Sequence, residues 1–264
     1  MKEPTIKDVQ QFWNERPVNR FHSQAKVGTK QYYDEVYARR SRVEPHILPF
    51  LTDGVDPNFS GKMLEMGSGI GTDALMAARM WPKAQIVGID ISQESLKIAR
   101  KGAKVYKLKN VTFYKGNIES LPAKILKNEY DLIYSYGVLH HTLNPERAVE
   151  EIKKVCHRNT IVKVMLYNKY SWKAFWLWIK DRSLKNSEAQ QGSPVTYAYS
   201  TKEVKELFRD FEILDHHIDF IFPYKVNEYI QYQYEHFWYW PIIKHFKHLI
   251  GFHHLLTMKP QIKL

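Results

Sequence analysis

Residues 62–73 read KMLEMGSGIGTD, and this stretch decides the fold. The segment Lys62–Met66 has the apolar character of a buried strand, and three glycines spaced by two follow it before a helix begins at Asp73. Glycine tolerates positive φ and lets a ligand lie against bare backbone, and a helix N-terminus presents free N–H groups. A strand, a glycine loop and a helix in this order predict a ligand site at the carboxyl edge of a parallel sheet.

Apolar runs of strand length alternate with segments of helical period along most of the chain, which predicts an α/β fold. The sheet is expected to be seven-stranded and mostly parallel, with helices on both faces. The predicted strands are Lys62–Met66, Gln85–Asp90, Val111–Lys115, Tyr130–Tyr136, Thr160–Leu166, Phe211–Ile218 and Phe252–Met258. The predicted helices are Asp73–Met80, Ser92–Arg100 with Gly102 as its stop, Asn144 to near His157, and a helix opened by a capping box at Ser200–Glu203 and ending at Arg209.

Composition limits the class of protein and the compartment. The chain has 264 residues, 44% of them hydrophobic, so it can bury a large core and is not disordered. It lacks an apolar run of membrane-spanning length, an apolar signal segment near Met1 and any second cysteine beside Cys156. A reducing cytoplasm is therefore the expected compartment.

The net charge of +11 raises the question of a nucleic-acid partner. Most of the excess lies between Lys97 and Lys127, which hold nine Lys or Arg and one acid. This stretch shows no helix-turn-helix spacing and reads as a solvated helix face with the loop and strand after it. We therefore do not expect nucleic acid as a partner.

The second candidate site residue is Asp90, at the end of the next strand and 21 residues after Gly69. A carboxylate there can accept both ribose hydroxyls of a bound nucleoside. A dinucleotide fingerprint would need its third glycine at position 72, which is Thr72. Glu65 would be a poor neighbour for a pyrophosphate but suits a ligand with an ammonium and a sulfonium. These residues favour S-adenosylmethionine over NAD.

Four motifs in order resemble those of the class I S-adenosylmethionine-dependent methyltransferases: LEMGSGIGTD (64–73), VGIDIS (87–92), GNIESLP (116–122) and YDLIYSYGVLHHTLNP (130–145). The LHHT segment is most similar to the UbiE-like small-molecule branch. The resemblance implies a Rossmann-like single domain over residues 1–264. It divides into an N-terminal helical lid (1–56), a cofactor-binding core (57–166), and a last part with two aromatic-rich substrate-side insertions and the last strands (167–264).

The resemblance also implies roles for individual residues. Gly67, Gly69 and Gly71 would pack against the methionine part of the cofactor, and Glu65 would hold its amino group through the loop or a water. Asp90 would bind the ribose. Adenine would lie against Ile91, Asn117 and Ile118, where Asn117 replaces the family's usual acid and would accept through its amide oxygen. Ser135 and Tyr136 would lie beside the methionine and the transferable methyl group.

Candidates for catalysis and acceptor binding follow strand four and occupy the flanking segments. His140 and His141 could serve as a general base or orient the acceptor, or they could hold the loop through backbone hydrogen bonds. Candidate substrate contacts are Tyr32 and Tyr33 in the lid, near Arg40, and Tyr197 and Tyr199 before the capping box; plain helix packing is the alternative. No metal site is expected, because His245 and His248 lack acids at ligand spacing and His253 and His254 point to opposite faces of a strand.

Aromatic residues concentrate in Tyr170–Trp178 and Phe222–His254. They could form an enlarged core, a deep pocket for an apolar acceptor, or a face in peripheral contact with the membrane. The predicted function is transfer of a methyl group from S-adenosylmethionine to a small-molecule or lipid-like acceptor, with S-adenosylhomocysteine as product. The alternatives are an RNA or protein methyltransferase, a non-catalytic S-adenosylmethionine-binding subunit and an NAD oxidoreductase. The acceptor, the methylated atom and the oligomeric state are left open.

Overall fold

A seven-stranded sheet forms the centre of the computed structural model, which describes residues 3–179, 192–220 and 246–261. The strand order is β3-β2-β1-β4-β5-β7-β6, and only β7 runs antiparallel to its neighbours. The predicted α/β architecture with a mostly parallel sheet is therefore confirmed. The strands are β1 Lys62–Met66, β2 Gln85–Asp90, β3 Val111–Lys115, β4 Tyr130–Tyr136, β5 Cys156–Tyr167, β6 Phe211–Asp219 and β7 His253–Pro260.

Helices cover both faces of the sheet. Residues of α4 and α5 join one apolar cluster, and residues of α7 and α9 join the cluster on the opposite face. None of the helices in the described ranges combines the length and apolar character needed to cross a bilayer. The helices are α1 Ile6–Glu15, α2 Lys30–Val43, α3 Ile47–Thr52, α4 Thr72–Met80, α5 Gln93–Val105, α6 Ala123–Leu126, α7 Pro145–Lys153, α8 Trp172–Ile179 and α9 Thr201–Leu207.

The first helix is attached to the turn after β2. The Ser92 hydroxyl caps α5 and also donates to the Trp13 carbonyl at 3.0 Å. The Gln10 amide donates to the Ile91 carbonyl at 3.4 Å, and Asn14 accepts from the Glu94 N–H at the same distance. These bonds place α1 over the carboxyl end of β2.

Several boundaries differ from the sequence prediction. Helix α7 ends at Lys153, four residues before the predicted His157, because the chain turns there and His157 belongs to β5; α9 ends at Leu207, two residues before the predicted Arg209. Helix α5 continues through Gly102 to Val105. A Cβ at Gly102 would lie 2.5 Å from Leu75 and 2.9 Å from Tyr33, so this glycine permits close packing of the helix and does not stop it. Strand β5 begins at Cys156, before the predicted Thr160, since the register against β4 is irregular there. Strand β7 is shifted by one to two residues, to His253–Pro260.

The aromatic insertions are described only in part. Helix α8 exposes Trp172, Phe175, Trp178 and Ile179 by 47, 49, 74 and 53%. Residues 222–245 of the other predicted aromatic stretch, which include 237–240 and His245, lie outside the described residues. The alternative of an enlarged core, in which the two insertions pack on each other, is therefore not tested.

Candidate active site

The glycine loop after β1 turns as predicted, with positive φ at each of its glycines. The φ values of Gly67, Gly69 and Gly71 are 80°, 52° and 80°. A Cβ on Gly67 would lie 2.3 Å from Val138, and one on Gly71 would lie 2.8 Å from the Cβ of Ala99. A Cβ on Gly69 would meet no atom within 4 Å. Gly67 and Gly71 are thus required by packing, and Gly69 alone leaves open space for a ligand.

Asp90 is held in place by the backbone on both sides of its carboxylate. One oxygen accepts from the Gly69 N–H at 2.7 Å, and the other accepts from the Ser92 N–H at 2.7 Å. Burial raises the pKa of Asp90, while these two bonds favour its ionised form. Because a carboxylate oxygen can accept more than one hydrogen bond, each can still accept a hydroxyl. Ser92 caps α5, so Asp90 is not needed as a helix cap.

A cleft runs from this loop along the ends of β2, β3 and β4 and beneath α1. It brings together eight of the ten residues predicted to bind the cofactor: Glu65, Gly67, Gly69, Asp90, Ile91, Asn117, Ile118 and Tyr136. The other two do not line it. Gly71 faces Ala99 and Phe113 within the fold. The Ser135 hydroxyl is buried and donates to the Met66 carbonyl at 3.1 Å, so it joins β4 to β1 and does not reach the cleft.

Asn117 belongs to a local turn at the edge of the cleft. Its amide oxygen accepts from the Glu119 N–H at 3.0 Å. This oxygen keeps a second lone pair, so the predicted adenine contact through it stays a prediction, and the side-chain NH₂ group can also donate to a ligand.

One end of the cleft holds a buried cluster of charges. Arg40 donates to Asp73 at 2.8 Å, and the Tyr134 hydroxyl donates to the same Asp73 oxygen at 3.3 Å. Burial raises the pKa of Glu65 well above its usual range, and Asp73 raises it further. Within the described part of the chain, Glu65 Oε2 and Arg40 Nε are buried without a hydrogen-bond partner.

These two unpartnered atoms suit the methionine end of the predicted cofactor. A buried carboxylate oxygen and a buried guanidinium nitrogen can bind an ammonium and a carboxylate, the two charged groups of an amino acid. A pyrophosphate would instead meet Glu65, Asp73 and Asp90, which line the same cleft. The residues present therefore fit S-adenosylmethionine and do not fit a dinucleotide.

The two predicted catalytic histidines occupy different positions. His140 is fully buried, its ring lies 3.7 Å from that of Tyr167, and it does not line the cleft. His141 lines the cleft, and its Nδ1 lies 2.9 Å from the Val195 carbonyl. Since a carbonyl only accepts, Nδ1 carries the proton and Nε2 keeps its lone pair. Burial lowers the pKa of His141 to about 4, so the ring is neutral near pH 7.

Sequence reasoning missed the contribution of α1. Val9 and Trp13 are four residues apart on one helix face and both line the cleft, and the Trp13 ring packs edge-on against His141 at 5.2 Å. The apolar spacing at i and i+4 was the available signal. Arg40, noted in the sequence only as a lid residue, also lines the cleft.

A second cavity of about 490 Å³ opens beside the cofactor cleft, beneath the segment that joins α1 to α2. We call it the acceptor cavity. The cleft and this cavity share seven residues: Trp13, Val18, Asn19, Arg40, Tyr136, Gly137 and His141. The part of the acceptor cavity outside this shared wall is rich in basic side chains: Arg16, Arg20, His22 and Arg39.

None of the four tyrosines predicted to contact substrate lines either cavity. The Tyr32 hydroxyl donates to the Arg20 carbonyl at 3.0 Å, and the Tyr33 hydroxyl donates to the Ile98 carbonyl at 2.7 Å, so both phenols serve packing around α2. Tyr197 is 41% exposed, and its N–H donates to the His140 carbonyl. Tyr199 packs against the core beside β5.

Comparison with known proteins agrees with this geometry. A stretch of 76 residues matches the release factor glutamine methyltransferase of Buchnera aphidicola at 40% identity, covering 29% of this chain and 26% of that protein. A stretch of 143 residues matches the malonyl-[acyl-carrier protein] O-methyltransferase of Bacillus anthracis at 28% identity, covering 54% of this chain and 50% of that protein. The matched segments thus span at most half the length of these relatives.

A solved structure is similar over nearly the whole chain. It is the magnesium protoporphyrin IX methyltransferase of Synechocystis with bound S-adenosylhomocysteine, with a TM-score of 0.61 and 15% identity over 97% of this chain and 100% of that one. At this identity the likeness establishes the fold. The sequence profile of a family described as a methyltransferase domain matches residues 59–212, more than half of the chain. The chain therefore belongs to this methyltransferase domain family, and its cofactor is S-adenosylmethionine.

Proposed function

We propose that this protein transfers a methyl group from S-adenosylmethionine to a small-molecule or lipid-like acceptor that carries an anionic group. The observation that carries the proposal is the wall shared by the cofactor cleft and the acceptor cavity, which includes Tyr136, Gly137 and His141. A group bound in the cleft can meet an acceptor in the second cavity across this wall. The sulfonium of the cofactor supplies a methyl group that is already activated for transfer.

Different residues of the cleft bind the ribose, the adenine and the methionine end of the cofactor. Asp90 accepts the ribose hydroxyls, and Gly69 provides the open backbone beside them. Ile91 and Ile118 cover the adenine, while the Asn117 NH₂ group donates to a ring nitrogen. The resemblance had Glu65 hold the amino group of the methionine through the loop or a water. The unpartnered Glu65 Oε2 and Arg40 Nε support direct contacts with the amino group and the carboxylate.

The charge of the acceptor cavity supports an anionic acceptor. Arg16, Arg20 and Arg39 line its outer part, where the cofactor cleft does not extend. The Arg39 guanidinium donates to His22 Nδ1 at 2.9 Å, and burial lowers the pKa of His22 to about 4, so this histidine adds no charge near pH 7. A carboxylate or phosphate on the acceptor can pair with these guanidinium groups.

His141 orients the acceptor and is a weak base. Its Nε2 lone pair lies at the shared wall and can accept a hydrogen bond from an acceptor hydroxyl or amine. A group whose pKa is about 4 removes a proton from such a group inefficiently near neutral pH. We therefore assign most of the acceleration to positioning of the acceptor against the methyl group.

We also propose a separate role for each of three parts of the chain. Residues 1–56 act as a lid, since α1 is bonded over the β2 turn and Arg40 of α2 reaches the cleft. Residues 57–166 bind the cofactor, and residues 167–264 contribute to acceptor choice. We also propose that the protein acts in the cytoplasm and contacts membranes peripherally; the exposed aromatic face of α8 supports the second statement.

The alternatives are an RNA or protein methyltransferase and a non-catalytic cofactor-binding subunit. The end of β4 and the segment after it read YSYGVLHH, not the Asn-Pro-Pro-Tyr type of sequence, and we find no nucleic-acid-binding module in the sequence. A silent subunit would bind the cofactor equally well, so only turnover separates it from an enzyme.

Labelled methyl transfer tests the proposal. Purified protein with methyl-labelled S-adenosylmethionine is incubated with the small-molecule, lipid, RNA and protein fractions of a cell extract. We expect label in the small-molecule or lipid fraction, and we expect Asp90→Ala to abolish it. Label confined to RNA or protein, or none in any fraction, would overturn the assignment.

Removal of one arginine charge from the acceptor cavity tests whether the acceptor carries an anionic group. Arg39→Gln should raise the KM for the acceptor about 10- to 100-fold, the range for one lost charge-assisted hydrogen bond. The affinity for S-adenosylhomocysteine should not change. Arg42→Gln is the matched control, because Arg42 lies on the same helix and outside the cavity. Equal effects of the two variants on KM would contradict an anionic acceptor.

A further inference from the structure

A second polar cluster lies where the end of α2, the start of α3, β4 and β7 meet. It consists of Glu44, His46, Tyr136 and His253. His46 Nε2 lies 2.7 Å from the Tyr136 phenol oxygen and 3.1 Å from His253 Nδ1. The same phenol oxygen lies 3.1 Å from His253 Nδ1 and 3.2 Å from a Glu44 carboxylate oxygen. Four donor atoms thus converge on one point.

Hydrogen bonds serve the four contacts of this cluster only through shared protons. A ring nitrogen of a neutral imidazole carries either one proton or one lone pair. His46 Nε2 and His253 Nδ1 each lie within 3.1 Å of two partners, the phenol oxygen and the other ring nitrogen. If one of these nitrogens carries a proton, its N–H is shared between the phenol oxygen and the other ring nitrogen, and the phenol O–H is shared between that nitrogen and Glu44.

A cation at the centre avoids the sharing of protons, because each nitrogen then directs its single lone pair at the ion. An ion bound at about 2.0–2.2 Å keeps its ligand atoms about 3.3–3.6 Å apart in a tetrahedral site and about 2.8–3.1 Å apart in an octahedral one. The contacts of 2.7–3.2 Å in the cluster are close to the octahedral spacing, and a tetrahedral ion would move the atoms slightly apart. We propose that Glu44, His46 and His253, with the Tyr136 oxygen, form a binding site for a divalent transition-metal ion of the Zn²⁺ type.

The surroundings support neutral histidine ligands and a bound ion. His253 is fully buried between the rings of Phe220, at 4.5 Å, and Tyr167, at 6.0 Å. Arg40 hydrogen-bonds Asp73 at 2.8 Å, and among the described residues no hydrogen bond joins it to Glu44. Burial raises the pKa of Glu44, while the charges of Arg40 and Lys173 favour its ionised form.

The site has a defined place in the molecule. Glu44 and Tyr136 also line the acceptor cavity, so the ion would lie at its wall. Glu44 and His46 belong to the N-terminal segment, and Tyr136 and His253 belong to the sheet, so the ion would fasten this segment to β4 and β7. The proposal does not depend on the nature of the acceptor.

Metal titration of chelator-treated protein tests the site. We expect one equivalent of Zn²⁺ to bind and to raise the midpoint of thermal unfolding. We expect Co²⁺ in its place to give the visible absorption of a nitrogen- and oxygen-ligated ion. His46→Gln should weaken Zn²⁺ binding by more than about 100-fold, since even outer-shell partners of a metal ligand are worth 10–100-fold.

A matched variant separates this site from adventitious binding. His216 Nε2 also lies 3.0 Å from another ring nitrogen, that of His254, but among the residues that the structure describes this pair belongs to no group that could hold a metal. His216→Gln should leave the Zn²⁺ affinity and the Co²⁺ spectrum unchanged. Glu44→Gln, at a partly exposed position, is a second test should His46→Gln fold poorly. Absence of stoichiometric binding, or equal binding by wild type, His46→Gln and Glu44→Gln, would overturn the proposal.

Discussion

Replacement of Asp90 by asparagine tests the ribose contact most sharply. Asp90 accepts backbone N–H groups from Gly69 and Ser92 at 2.7 Å each, one on each oxygen. An asparagine has a single acceptor oxygen, so its NH₂ group must face one of these N–H donors. The variant therefore loses a backbone hydrogen bond, the negative charge and one of the two acceptors offered to the ribose.

The magnitude follows from these contacts. A hydrogen bond to a charged group contributes about 1.5–3 kcal/mol, and 1.4 kcal/mol corresponds to tenfold in affinity. Loss of one such bond to the ribose and weakening of the other predict a drop in S-adenosylhomocysteine affinity of about 30- to 1,000-fold. Isothermal titration calorimetry measures it. Asp56→Asn is the control, because Asp56 also accepts a backbone N–H, from Asn58, in an exposed loop away from the cleft.

A ligand variant separates ribose recognition from a general distortion of the loop. An S-adenosylhomocysteine analogue that lacks one ribose hydroxyl should lose much less affinity on Asp90→Asn than the parent ligand does, because part of the interaction is already absent. Equal losses for both ligands would show that Asp90 shapes the loop without binding the ribose. Unchanged affinity for the parent ligand would refute the assignment.

Three further predictions concern individual residues. Gly69→Ala should reduce cofactor affinity strongly and lower the free energy of unfolding by about 1–2 kcal/mol, because Gly69 has a positive φ. Gly71→Ala should lower the free energy of unfolding more, because its Cβ would lie 2.8 Å from Ala99. A larger affinity loss for Gly71→Ala in calorimetry, with a larger stability loss for Gly69→Ala in urea unfolding, would contradict these roles. Ser135→Ala should cost about 1 kcal/mol of stability, the value of one buried hydrogen bond, and leave cofactor affinity unchanged, so a loss of affinity would place Ser135 in the cleft. Burial lowers the pKa of His141 to about 4 from 6.5, so the unfolded chain takes up the proton first and the free energy of unfolding falls as pH drops through this window. His141→Gln should therefore reduce the slope by up to about 1.4 kcal/mol per pH unit, and an unchanged slope in urea unfolding would show that His141 titrates normally.

The first half of the sheet could be predicted from local pattern. The bounds of β1 to β4 agree with the predicted strands, because each is a short apolar run between clear turn and helix signals. The extension of α5 through Gly102 could not be predicted, since the reason for that glycine is the nearness of Leu75 and Tyr33, which come from other helices. A glycine needed for packing and one that ends a helix look the same in a sequence.

The candidate site also has one part that the sequence indicated and another that it did not. Glu65, Gly69 and Asp90 lie on one strand–loop–helix unit and the next strand, so their spacing indicated their place. The acceptor cavity depends on how the segment from α1 to α2 packs on the sheet, and no pattern showed that arginines would line it and that Tyr32 and Tyr33 would not. The cluster of His46 and His253 joins residues 207 positions apart, which no motif spacing can indicate.

A crystal structure of the protein with S-adenosylhomocysteine tests the central claim most directly. We predict the ribose hydroxyls on Asp90, the amino and carboxylate groups of the homocysteine at Glu65 and Arg40, and the sulfur facing the wall shared with the acceptor cavity. Adenosine bound elsewhere, or a homocysteine end that points away from Tyr136 and His141, would contradict it.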